Sequence, residues 1–218
     1  MLLAACVLLS PAVAAAQEDV RLTGSWSVEI TSPEGLHPAV LALSDEGGRL
    51  SGVVVGAAGP AAVDGTRGPE GVTLRFTIAY EGAPMRIVMR APAVGPELAG
   101  SVDFGGLADG TWSARPRTAS GVSGAWTLTA DDSGAPVSAQ MLLVEDAGRV
   151  SGRLLARSHG IDGLVKGTLA DDVLQLSVDA EVDGAPMVID LPGRLSGESL
   201  AGTFAAGNRS GRWTAVRQ

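Results

Sequence analysis

Gly82-Ala83-Pro84-Met85 returns unchanged as Gly184-Ala185-Pro186-Met187, and Gly48-Arg49-Leu50-Ser51-Gly52 returns as Gly148-Arg149-Val150-Ser151-Gly152. Working outward, Gly24-Ser25-Trp26 matches Gly124-Ala125-Trp126, and Gly65-Thr66 matches Gly167-Thr168. Leu98-Ala99-Gly100 matches Leu200-Ala201-Gly202, and Trp112-Ser113-Ala114-Arg115 matches Trp213-Thr214-Ala215-Val216-Arg217. The spacing stays near 100 residues, and all four tryptophans fall at matched positions. Self-similarity at a fixed period marks a duplicated structural unit. The chain therefore reads as one module written twice, over 17–117 and 118–218. The polar, turn-forming stretch Pro116-Arg117-Thr118-Ala119-Ser120-Gly121 joins the copies and is short enough to keep them side by side.

Within each copy the apolar period is two. Trp26, Val28 and Ile30 alternate with polar neighbours, as do Val72, Leu74, Phe76, Ile78 and Tyr80. Leu174, Leu176, Val178 and Val182 repeat the pattern in the second copy, and Met85, Ile87 and Met89 answer to Met187, Ile189 and Leu191. Such alternation buries one face of a strand and wets the other, as in antiparallel sheets. Turn signals such as Asp45-Glu46-Gly47-Gly48 and Asp146-Ala147-Gly148 punctuate the runs. About eight strands per copy are expected, near 22–31, 38–44, 49–55, 61–66, 71–80, 84–91, 97–104 and 110–115 in the first. The fold class is all-β, with two tandem antiparallel up-and-down barrels as the economical closure, since closure removes sheet edges. A six-stranded barrel or a sandwich is the alternative.

Composition excludes several function classes. A net charge of −8 with scattered arginines gives no phosphate-binding patch, so no nucleic-acid partner is expected. Met1 to Ala16 is apolar and ends in small residues, as a secretory signal peptide does, although no Lys or Arg precedes it. It is too short for a spanning helix of about 20 residues. The expected location is periplasmic or extracellular, with no transmembrane segment in the mature chain. Leu3-Ala4-Ala5-Cys6 has the form of a lipobox, which leaves two readings of Cys6, the single cysteine: lipid anchor, or residue removed with the signal. An outer-membrane barrel fits poorly, because the outward strand positions are Ser, Thr, Glu, Asp, Gln and Arg instead of apolar.

With Gly-x-Trp opening each module and a Trp-x-Ala strand with arginine closing it, each copy resembles the lipocalin and avidin-like (calycin-type) small β-barrels of exported bacterial proteins. The resemblance implies that an arginine of the last strand packs over the tryptophan of the first. Arg115 would then cover Trp26 and Arg217 would cover Trp126, a cation–π contact. Arg115 follows Trp112 by three residues but Arg217 follows Trp213 by four, so at most one copy keeps that geometry. Trp26, Trp112, Arg115, Trp126, Trp213 and Arg217 are thus the expected barrel-closing residues. Lining a pocket mouth is the other role open to the tryptophans.

Chemistry is sparse by comparison. His37 and His159 are not shared between copies and have no spaced metal-ligand partners. Ser51 and Ser151 recur, yet read as outward strand positions beside a strand-kinking glycine, and no nucleophile elbow is present. Asp45-Glu46 and Glu145-Asp146 sit in hairpin turns, where acids serve turn geometry. No cofactor motif occurs. The reading is a non-catalytic exported binding or accessory module for a small apolar ligand or a companion exported protein. The alternatives are an avidin-like inhibitor of secreted proteases and an enzyme of unrecognised type. Inward Trp, Phe, Met, Leu and Ile are expected to fill most of so short a barrel.

Overall fold

The computed structural model describes residues 22–92, 94–118, 121–131, 136–182 and 184–218. The signal-like segment and Cys6 lie outside the described residues, as do Ala119 and Ser120 of the connecting stretch. Strands follow the period-two runs: β1 (Gly24–Ser32), β2 (Gly35–Glu46), β3 (Arg49–Gly56), β4 (Gly59–Gly68), β5 (Gly71–Tyr80), β6 (Ala83–Ala91), β7 (Leu98–Phe104) and β8 (Asp109–Arg117). The second copy gives β9 (Gly124–Asp131), β10 (Val137–Asp146), β11 (Arg149–Ala156), β12 (Ile161–Ala170), β13 (Val173–Val182), β14 (Ala185–Ser196), β15 (Ser199–Ala206) and β16 (Arg209–Arg217). A 3-10 turn, Arg157–His159, precedes β12. Each set of eight closes into its own up-and-down antiparallel barrel, β1 pairing with β8 and β9 with β16. No helix among the described residues is long and apolar enough to cross a membrane.

Each barrel has a plugged end and an open end. At the plugged end of the first, Trp26 is buried and donates its indole N–H to the Leu22 carbonyl at 3.1 Å, which pins the preceding segment across the barrel. Trp126 does the same to Val122 at 2.9 Å. Leu22 and Val122 are themselves fully buried beneath that crossing. Further up the wall, Trp112 stands opposite Gly100 and Trp213 opposite Gly202. A Cβ at Gly100 would lie 1.8 Å from the Arg90 carbonyl oxygen, the acceptor of the Trp112 indole N–H at 3.2 Å. Glycine is required there so that the indole can reach across its neighbour strand.

An ion pair buttresses the first plug. Asp45, with no exposed side-chain surface, pairs with Arg67 and accepts backbone N–H bonds from Gly48 at 2.9 Å and Leu22 at 3.3 Å. Burial alone would raise its pKa, but the Arg67 hydrogen bond, the two N–H donors and the Arg67 charge outweigh it and hold the carboxyl below its ordinary 3.8. A carboxylate depressed on folding stabilises the fold fully above its unfolded pKa and loses that contribution as pH falls through the folded value. Melting temperature followed on acidification below about pH 4 should therefore drop more steeply in wild type than in Asp45→Asn. Parallel acid arms would remove Asp45 as a source of acid sensitivity.

The barrels pack through β2 and β3 of the first against β9, β10 and β11 of the second. Their outward side chains form a third apolar cluster of Ala42, Val53, Ala125, Leu142, Val144 and Leu155, all buried. Ser51, expected on a wet face, is 1% exposed and accepts a hydrogen bond from Arg157 at 3.2 Å. Burial of the outer face against the other barrel is the reason for the difference. At the edge of the cluster the guanidinium of Arg153, itself buried, reaches both barrels. It donates to Asp162 at 2.7 and 2.8 Å, to Asp64 at 3.1 Å and to the Val63 carbonyl at 2.8 Å. Arg157, at the open end of the second barrel, faces Glu46 in the plugged-end hairpin of the first at 3.7 Å. Gln140 donates to Ser44 at 3.0 Å and also bonds Glu46. The two open ends consequently point in opposite directions.

Candidate binding cavities

Toward the open end of the first barrel the inward side chains shrink. Ala39 and Ala108, with Gly56 and the Ala57-Ala58 hairpin tip, take the place of the large residues of the plug, and a cavity of about 420 Å³ opens among them. Its floor and walls are Ile30, Val54, Phe76, Ile78, Met85 and Ile87. The expected filling of the interior holds for the plugged half only, because small residues on the strand ends and hairpins leave the other half empty. Such a volume lies within the usual range for small-molecule sites, and a mostly apolar wall with a few polar groups is their usual chemistry. The second barrel has a smaller counterpart of about 280 Å³, lined by Leu128, Ala139, Leu154, Met187 and Ile189 among others.

Polar groups gather at the first mouth because the β1–β2 hairpin and the end of β5 meet there. Ser32 Oγ lies 2.9 Å from His37 Nε2 and accepts the Glu34 backbone N–H at 3.1 Å. The Tyr80 hydroxyl donates to Glu34 Oε1 at 2.7 Å. That hydrogen bond, with the charges of Glu34 and Glu81, raises the phenol's pKa and keeps it protonated. Leu107, the most exposed large apolar residue among the described residues at 78%, lies on the same rim. At the second mouth His159 lies 2.9 Å from Ser158 Oγ, and Arg209 joins the lining at the position Ala108 holds in the first.

Sequence position alone gives no reason to link the two histidines, which are not repeat equivalents. Both nevertheless stand at a cavity mouth. The Ser32–His37 pair resembles the start of a nucleophilic triad, yet no carboxylate among the described residues hydrogen-bonds His37 to orient it. No group of three His, Cys, Asp or Glu among the described residues is placed to hold a metal ion.

The expected barrel-closing residues separate into two groups. Arg217 lies over the Trp126 ring at 4.3 Å, donates to the Ser123 and Gly121 carbonyls and pairs with Glu198 at 2.6 Å. Arg115 does not cover Trp26. It is mostly exposed on the outer face and pairs with Glu97 at 3.1 Å. Strand register explains the difference: Trp126 stands opposite Arg217, but Trp26 stands opposite Pro116, so Arg115 corresponds to the outward Val216. None of the four tryptophans lines either cavity. No family model matches the chain and no characterised protein matches it, so what the barrels do is read from their geometry.

Proposed function

We propose that this chain is a non-catalytic binding protein of lipocalin-like character whose first barrel holds a small apolar ligand. The supporting observation is the 420 Å³ cavity, open at one end and walled by Ile, Val, Phe and Met side chains. Burying hydrocarbon there gains about 25 cal/mol per Å² of apolar surface removed from water. An interior already emptied by its own small side chains needs little rearrangement to accept it. Leu107 extends the apolar surface onto the rim, where an entering ligand first meets the protein.

A cavity-filling substitution tests this. Ala39 is partly buried against the core and lines the cavity, and Ala39→Phe puts an aromatic ring into the space without adding a polar atom. Titration with a neutral apolar dye that brightens on binding, such as N-phenyl-1-naphthylamine, should give at least tenfold weaker binding to the variant. Equal binding by both chains would place the site elsewhere. Tryptophan emission is a poor readout, since no tryptophan touches the cavity.

A further inference from the structure

Among the described residues that line the first mouth there is a single full charge, and it is negative. Glu34 lines the cavity together with Ser32, His37 and Tyr80, and no Lys or Arg does. Because Tyr80 spends its proton on Glu34 Oε1, its own oxygen presents lone pairs. The carboxylate, the phenol oxygen and the Ser32 hydroxyl are thus acceptors clustered above an apolar shaft. We propose that the first barrel selects amphiphiles with a cationic amine head, the hydrocarbon tail in the cavity and the ammonium at Glu34. This rests on the reading of the cavity as an apolar-ligand site.

Head-group chemistry separates the alternatives. An alkyl ammonium brings three N–H donors and a positive charge to acceptors that have no cation of their own within the mouth. An alcohol of equal length brings one donor and no charge. A carboxylate meets Glu34 with like charge and no basic side chain to offset it. The protein also contains its own comparison, because the second mouth has Arg209 where the first has Ala108. Selection for an amine should therefore belong to the first barrel alone.

Methionine provides a separate reporter in each barrel, Met85 in the first cavity and Met187 in the second. The full chain, labelled at the methionine methyl carbons, is titrated at pH 8 with decylamine, decanol and decanoate, each below its micelle concentration. At that pH the amine is charged and the acid ionised. Decylamine should move the Met85 signal at about tenfold lower concentration than decanol, with decanoate weaker than both. Glu34→Gln, an exposed change, should bring decylamine to the level of decanol. Equal response to all three probes, an amine advantage that survives Glu34→Gln, or an equal amine advantage at Met187 would overturn the head-group assignment while leaving the apolar site intact. No response of Met85 to any of the three would overturn both.

Discussion

Replacing Trp126 with alanine should melt the second barrel well below the first. Trp126 is fully buried, caps the barrel end through its bond to Val122, and carries the Arg217 guanidinium on its face. Removing a buried tryptophan to alanine costs about 3–5 kcal/mol. A domain of this size holds only about 5–15 kcal/mol in total. At roughly 4–8 °C per kcal/mol for about 100 residues, the melting temperature should fall by some 12 °C or more. Trp126→Phe keeps a ring beneath Arg217 and should cost less. Calorimetry of the two variants checks this, and matching losses would mean that ring volume is not what holds the end closed. Trp26→Ala should be milder than Trp126→Ala, since Pro116 and not an arginine stands opposite it.

The two plugs show how far sequence alone reaches. Repetition and alternation specify eight strands per copy and their order, because inward and outward residues differ in kind and turns announce themselves through glycine. The Arg115 assignment fails on the one-residue difference visible in the sequence: three residues after its tryptophan instead of four turns the side chain to the opposite face, and only the register shows which copy keeps the contact. The packing between barrels also leaves a sequence trace. Val40-Leu41-Ala42-Leu43 and Met141-Leu142-Leu143-Val144 are apolar on both faces, breaking the period of two, as strands covered on both sides do. The cavity leaves no such trace. Alanines and glycines at hairpin ends look like turn punctuation until closure shows that they surround one empty space.

Arg153→Ala should loosen the junction between the barrels. Its guanidinium is buried and bonds one carboxylate and one carbonyl of the first barrel and one carboxylate of its own. Breaking a buried pair costs about 3–5 kcal/mol when the partner is stranded, but Asp64 and Asp162 remain more than half exposed and can rehydrate. A loss of about 2–3 kcal/mol is expected, from the unpaired Val63 carbonyl and the void. Arg153→Met should recover much of it by filling that space, since apolar replacements of buried ions are often neutral. Denaturant melts of both variants decide the matter, and a Met variant as weak as the Ala variant would show that charge and not packing makes the joint.

The same contacts set which way each opening faces. With Arg157 beside Glu46, the floor of one vessel stands next to the lip of the other, and the two lips look away from each other. If both cavities hold ligand, a ligand leaving one has no direct path into its twin and must cross open solvent. A surface that meets one lip leaves the other free, so the fold keeps the two openings independent of each other.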